Sequence, residues 1–302
     1  MKKIRKAIIP VAGHGVRMMP VTRAVRKTMF PIVDSRGLVR PVLQIIIEEA
    51  INAGIEEICL VTAPEDEEPF RAYFSALPDH LKTAIGNRQD LIKAAQDLAQ
   101  ISDRLSYITQ THPRGLGDAV LSAKSWACNE SVLIMLGDHL YRSREKRCCA
   151  RQLMDTFETI QAPISGITRK PENSLKFFGT ISGRPVRKLD GVYAIDTVVE
   201  KPDISFAKTH LRVDGIPDDL FLCWFGLHAM TPELFTCLEQ IEQNNAKSGE
   251  ELQLTEAQAL LAAKGNYFAL EIKGDHFDTG SPKGYVNSVT TFANPNLSMK
   301  TK

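Results

Sequence analysis

Arg17 and Lys27 follow Gly13 and Gly15 within GHGVRMMPVTRAVRK, residues 13–27. Glycines directly after an apolar run permit positive φ and let backbone N–H groups converge on an anion. Arginine adds a planar fork for phosphate, and lysine a compact point charge. The combination fits a small phosphate-bearing polyanion. The stretch is not a dinucleotide fingerprint, whose third glycine would fall at Met18. It also lacks the Gly-Lys-Ser/Thr ending of a P-loop. A solvated basic face is the plain alternative.

Two carboxylates invite comparison with metal chemistry. Asp138 ends the apolar run VLIMLGD, and Asp278 stands in FDTGS after another strand-like segment. Carboxylates delivered by separate strand ends can share a Mg²⁺, which takes one or two protein oxygens and leaves the rest to phosphates and water. An Asp that opens a turn is the alternative for each. In QTHPRGLGDAV, Gly115 opens a helix and Gln110 offers an amide to a pyrimidine edge, unless it serves only the turn. VVEKP places Glu200 and Lys201 side by side before Pro202, where both can reach a ligand or merely form a solvated ion pair. There is no H-E-x-x-H zinc spacing and no G-x-S-x-G nucleophile elbow.

Composition limits the partners. Lys+Arg is 37 and Asp+Glu 36, a formal charge of +1, which argues against a dedicated nucleic-acid or membrane-surface protein. The charge is unevenly placed. Residues 1–45 carry ten bases and one acid, Asp34, whereas residues 46–70 carry eight acids and no base. The six cysteines contain no C-x-x-C pair, so reduced thiols and a cytoplasmic location are expected. The apolar run after the basic start is too short for a signal peptide, and no stretch approaches the ~18 residues of a membrane span.

These residues must be held by alternating elements. KAIIPVA reads as a strand. PVLQIIIEEAINAG is a helix with Leu43, Ile46, Ile47, Ala50 and Ile51 on one face, and IEEICLVTA is a buried strand. The alternation continues to PISGITR. It predicts an α/β fold with a mixed, mostly parallel central sheet, helices on both faces and a small β-rich subregion after residue 175. One domain is expected over residues 1–292, with a tail over 293–302. DHFDTGSPKGY reads as a loop.

In order, these segments resemble the bacterial UTP–glucose-1-phosphate uridylyltransferases, part of the sugar-phosphate nucleotidyltransferases. The family signature G-x-G-T-R-x-(L/M)-P…P-K-E-M-L-P-I-V-D is matched at Gly13, Gly15, Arg17, Pro20, Lys27, Met29, Pro31 and Asp34. The likeness continues through GLGDAVLSA, LGDH, FFGTI, VVEKP, FGLHAMTPELF, ELQLTEA and FDTGSPKGY. It implies a Rossmann-like nucleotide-diphospho-sugar transferase fold, with a nucleotide-binding part over about residues 1–170 and a sugar-phosphate-binding part over about 171–292. The implied reaction is attack of a sugar-1-phosphate oxygen on the α-phosphorus of a nucleoside triphosphate, releasing pyrophosphate. By resemblance, Arg17 and Lys27 are catalytic, and Ala12, Gly13, Gly15, Gln110 and Gly115 contact the nucleotide. Gly179, Glu200, Lys201 and Gly226 bind the sugar phosphate, and Asp138 and Asp278 hold Mg²⁺. The partners implied are the two small substrates, with no nucleic acid or membrane, in a homodimer or homotetramer.

Departures from the pattern bear on substrate choice. The family threonine is Val16, the Pro and Glu flanking the lysine are Arg26 and Thr28, the second Asp of L-G-D-D is His139, and the Asp of Q-L-T-D is Glu256. Arg26 is expected to add a cation near the phosphates and His139 to remove a carboxylate from beside the metal. The alternatives are the same chemistry on another sugar phosphate or dTTP, and a catalytically weak or inactive paralogue that binds nucleotide sugar and regulates a partner.

Overall fold

The computed structural model describes residues 3–34, 37–245 and 251–293. Lys2, Arg36 and the predicted tail beyond residue 293 lie outside the described residues. A nine-stranded sheet runs in the order Leu105–Thr109, Glu57–Thr62, Lys6–Pro10, Val132–Met135, Leu220–Met230, Ile164–Pro171, Phe268–Glu271, Val192–Glu200, Gly179–Pro185. The first four strands pair in parallel. Beyond them, antiparallel pairings take over, with one further parallel pair between Ile164–Pro171 and Phe268–Glu271. The sheet is thus mixed, its parallel half built from the N-terminal alternation and its antiparallel half from the β-rich segment.

Side-chain alternation fixes which face each residue enters. In Lys6–Pro10, Ala7 and Ile9 belong to one core and Ile8 to the other; Leu60 and Leu133 follow Ile9, and Cys59, Val61 and Ile134 follow Ile8. Both faces are therefore covered, which explains why these strands read as nearly unbroken apolar runs. The helix Val42–Ala53 lays Leu43, Ile46, Ile47 and Ala50 on the first core as expected, with Ile51 partly buried, and stops at Gly54 with φ +100°. The helix expected to open at Gly115 runs over Leu116–Ser122 and is followed by a separate turn of helix, Lys124–Ala127.

The loop expected over DHFDTGSPKGY is not wholly a loop. Gly274–Asp278 is a strand, paired antiparallel with His139–Ser143 in a separate two-stranded sheet. Backbone pairing with a partner distant in sequence overrides the polar composition of both segments. This small sheet sets Asp278 directly opposite His139.

Candidate active site

The first strand delivers the chain into the glycine turn. Gly15 adopts φ +65°, a left-handed conformation that disfavours a side chain, and its carbonyl accepts from Met18 N at 2.8 Å and from Thr22 Oγ1 at 3.2 Å. Three short 3₁₀ turns then carry the chain through Val16–Met18, Val21–Arg23 and Lys27–Met29. A Cβ at Gly15 would meet Thr22 Cγ2 at 2.9 Å and the Lys27 stem at 3.4 Å. Gly15 is thus the seat on which the Lys27 side chain lies.

From that seat the Lys27 ammonium reaches Asp138, with Nζ to Oδ2 at 2.6 Å. Asp138 comes close because Gly137 lets its turn pack on the first strand: a Cβ there would stand 2.5 Å from the Pro10 carbonyl oxygen. Thr279 clamps the same residue from the other side, its N and Oγ1 donating to the Asp138 carbonyl at 2.9 and 2.8 Å. Burial works to raise the Asp138 pKa, but the charges of Lys27, His139 and Arg17 and the lysine hydrogen bond prevail and hold it at about 2. The carboxylate stays ionised.

Gly280 completes the pocket. Its N–H donates to Asp278 Oδ1 at 2.7 Å. A Cβ at Gly280 would lie 2.5 Å from Asp138 Oδ2, 3.0 Å from Asp278 Oδ1 and 3.1 Å from Arg17 Nη2. Two carboxylates and the arginine fork therefore converge on the space that a side chain at Gly280 would take. One ligand atom each from Asp138, Asp278 and His139 lie within 4.8 Å of one another. Two carboxylates and an imidazole, in a cradle that a methyl group would fill, fit a divalent cation.

The other predicted residues share this space. A cavity of about 630 Å³ is lined by Ala12, Gly13, Arg17, Lys27, Gln110, Gly115, Asp138, Gly179, Glu200, Lys201, Gly226 and Asp278, though not by Gly15. Gln110 is tied down: its Nε2 donates to Asp118 Oδ2 at 2.6 Å and to the Gly115 carbonyl at 3.2 Å. Only its carbonyl oxygen is left for a ligand. Gly115 has φ +110°, and a Cβ would strike the Leu252 carbonyl at 2.7 Å. Gly179 pairs with Glu200 across the ladder, and a Cβ there would meet Trp224 Cδ1 at 2.5 Å. Glu200 accepts from Thr255 Oγ1 at 2.7 Å and pairs with Lys201 at 3.2 Å. Gly226, at φ +90°, would place a Cβ 2.5 Å from His139 Nδ1.

The expected extra cation is displaced. Arg26 does not line the cavity; it pairs with Asp66 and with Glu65 at 3.1 Å. Three bases of the block pair with the acidic block that follows it, through Arg5–Glu56, Arg26–Glu65/Asp66 and Arg40–Glu48, and Lys6 pairs with Glu130. Among the described residues of the block, Arg17 and Lys27 are the bases that face the cavity. His139 does not simply vacate its place, since its imidazole stands among the two carboxylates. Sequence reading missed Thr279, Gly280, Trp224 and Thr255; the glycine of FDTGS, following a candidate ligand by two residues, was the available signal.

Comparison with known proteins gives a consistent neighbourhood. The nucleotidyl transferase family matches residues 6–294. The chain is 36% identical over 295 residues to UTP–glucose-1-phosphate uridylyltransferase 2 of Streptococcus pyogenes serotype M3, covering 97% of this chain and 91% of that one. It is also 36% identical over 296 residues to UTP–glucose-1-phosphate uridylyltransferase of Streptococcus pneumoniae serotype 4, covering 96% and 91%. Its fold is similar to a crystal structure of apo UDP-glucose pyrophosphorylase, with a TM-score of 0.80 and 27% identity over 97% of this chain and 100% of that one. A UTP-bound UGPase from Acinetobacter baumannii gives a TM-score of 0.76 and 26% identity over 95% and 92%. A match across nearly the whole chain, with relatives of this identity, makes the protein a member of the nucleotidyl transferase family and of its UTP–glucose-1-phosphate uridylyltransferase-like group.

Proposed function

We propose that the chain transfers a uridylyl group from UTP to glucose 1-phosphate, giving UDP-glucose and pyrophosphate, with Mg²⁺ or another divalent cation. The observation that carries this reading is the convergence of Arg17, Asp138 and Asp278 on Gly280, with Lys27 bonded to Asp138, in a cavity also lined by Gly179, Glu200 and Lys201. A divalent cation held by Asp138 and Asp278 would neutralise triphosphate oxygens and draw charge from the α-phosphorus.

The protein side of the reaction is positioning and charge. Lys201 holds the sugar phosphate, and Glu200 with the Gly179 and Gly226 backbone takes the sugar hydroxyls. A phosphate oxygen of the sugar attacks the α-phosphorus; the new P–O bond forms as the bond to the β-phosphate bridging oxygen breaks. The attacking oxygen is already ionised, so no general base is needed. Arg17 holds the departing pyrophosphate, and Lys27 offsets charge at the reacting centre, while the Ala12–Gly13 backbone borders the nucleotide. The Gln110 Nε2 donors being occupied, its Oε1 accepts from a base N–H, as uracil N3 supplies and cytosine N3 does not.

Among the described residues no helix is long and apolar enough to cross a membrane. We propose further that the enzyme is cytoplasmic and a homodimer or homotetramer. The test is pyrophosphate release over a grid of nucleoside triphosphates and sugar 1-phosphates with Mg²⁺ and Mn²⁺. UTP with glucose 1-phosphate is expected to give the highest kcat/KM. Nucleotide binding with no turnover on any pair overturns the reading and leaves the regulatory paralogue.

A further inference from the structure

We infer that His139 supplies a nitrogen ligand to the cation held by Asp138 and Asp278, and that this site therefore takes Mn²⁺ or Co²⁺ in preference to Mg²⁺. The inference rests on the reading above, in which a divalent cation sits at the two carboxylates. The backbone sets the arrangement. His139 and Asp278 are directly opposed across an antiparallel pair, so their side chains leave the same face. Asp138 lies just before that strand, in the turn, which frees its carboxylate from strict alternation and turns it to the same side. The result is the three-residue cluster whose ligand atoms lie within 4.8 Å.

The imidazole is held in place by packing. It stacks on His276 at 5.5 Å and 30°, and His276 is itself wedged edge-on against Phe178 and Phe225. Its Nδ1 is buried with no hydrogen-bond partner. Gly226, with φ +90°, leaves the space that this ring fills, since a Cβ there would approach Nδ1 to 2.5 Å. A polar ring fixed beside two carboxylates, with a ring nitrogen within 4.8 Å of an oxygen of each and no hydrogen bond at Nδ1, is placed to ligate a cation. Mg²⁺ prefers all-oxygen coordination and keeps its waters, whereas imidazole suits first-row transition ions. Exchanging a carboxylate for an imidazole also removes one negative charge, which weakens a purely electrostatic preference for Mg²⁺.

The probe is Mn²⁺ bound to the full chain with UTP and without sugar phosphate. Pulsed EPR of the bound ion is expected to show coupling to a ¹⁴N nucleus. The coupling disappears in His139→Ala and His139→Asp and persists in His14→Gln, an exposed histidine of the glycine turn. In competition titrations, His139→Asp lowers the Mn²⁺-over-Mg²⁺ affinity ratio by about tenfold. Thermal unfolding of each variant confirms that the chain is folded in the sample measured. Mn²⁺ bound without ¹⁴N coupling, or coupling that survives in His139→Asp, overturns the inference and leaves the two-carboxylate site standing. No cation bound by the wild type with UTP overturns both.

Discussion

Lys27 Nζ donates to Asp138 Oδ2 at 2.6 Å across 111 residues of sequence. The pair joins the glycine turn after the first strand to the turn after Val132–Met135, a parallel neighbour of that strand. Each side chain fixes the other: the ammonium helps hold Asp138 ionised, and the carboxylate holds Lys27 within the cavity. Lys27→Ala and Asp138→Asn are each expected to lower kcat by roughly 10²–10³, as for the loss of a main electrostatic contact to the transition state. Steady-state pyrophosphate release checks this. Turnover near that of the wild type in either variant removes that residue from the chemistry.

Gly280 gives a sharper geometric test, because it carries no functional group. Gly280→Ala would set a methyl 2.5 Å from Asp138 Oδ2 and 3.0 Å from Asp278 Oδ1. The carboxylates must move apart, so divalent-cation affinity and kcat should fall, each by about tenfold or more. The fold should survive, since the crowded atoms are side-chain ends. Metal titration by calorimetry, beside a melting curve, separates the two effects; unchanged cation affinity contradicts the cradle.

Arg26 tests the reassignment of the basic block. It pairs with Glu65 and with Asp66, whose side chain is only 3% exposed. Arg26→Ala leaves that buried carboxylate without its counter-charge, at a cost of about 3 kcal/mol in unfolding free energy. The KM for the triphosphate should stay within about twofold, because Arg26 is outside the cavity. Denaturant unfolding and steady-state kinetics on the same sample decide; a large rise in KM with stability intact would restore Arg26 to the phosphates.

What the sequence revealed and what it hid have physical reasons. Strands buried on both faces announce themselves as apolar runs, and Gly54 marks the end of its helix, because those signals are local. HLYRS and GDHFD are polar and short, and become strands only by pairing with each other over more than a hundred residues. The site residues were recognisable as motifs, yet their partners were not. Nothing local says that Arg26 turns to Asp66, that the Gln110 amide N–H groups go to Asp118 and Gly115, or that Gly15 seats Lys27 rather than lining the cavity. His139 shows the same limit: as a letter it is a missing carboxylate, and only the ladder opposite Asp278 sets it among the ligands.

Acid stability follows from a buried histidine. His228 is 3% exposed, and its Nδ1 lies in hydrogen-bond contact with Ser165 Oγ at 2.7 Å and Gln258 Nε2 at 3.0 Å. Burial, and then the charge of His139, push its pKa down to about 3. Above about pH 6.5 the histidine is neutral in both folded and unfolded chains and has no effect on the balance. Below that, the unfolded chain takes up a proton that the folded one refuses, so stability falls as pH drops from about 6.5 toward 3. Between pH 7.5 and 5 the residue alone costs about 2 kcal/mol. His228→Gln, which removes the titration, should lose fewer degrees of Tm over that interval than the wild type, whatever its Tm at pH 7.5. His276, shifted in the same direction, adds acid sensitivity of the same sign. Equal Tm losses in the two proteins would show that His228 is protonated in the folded chain.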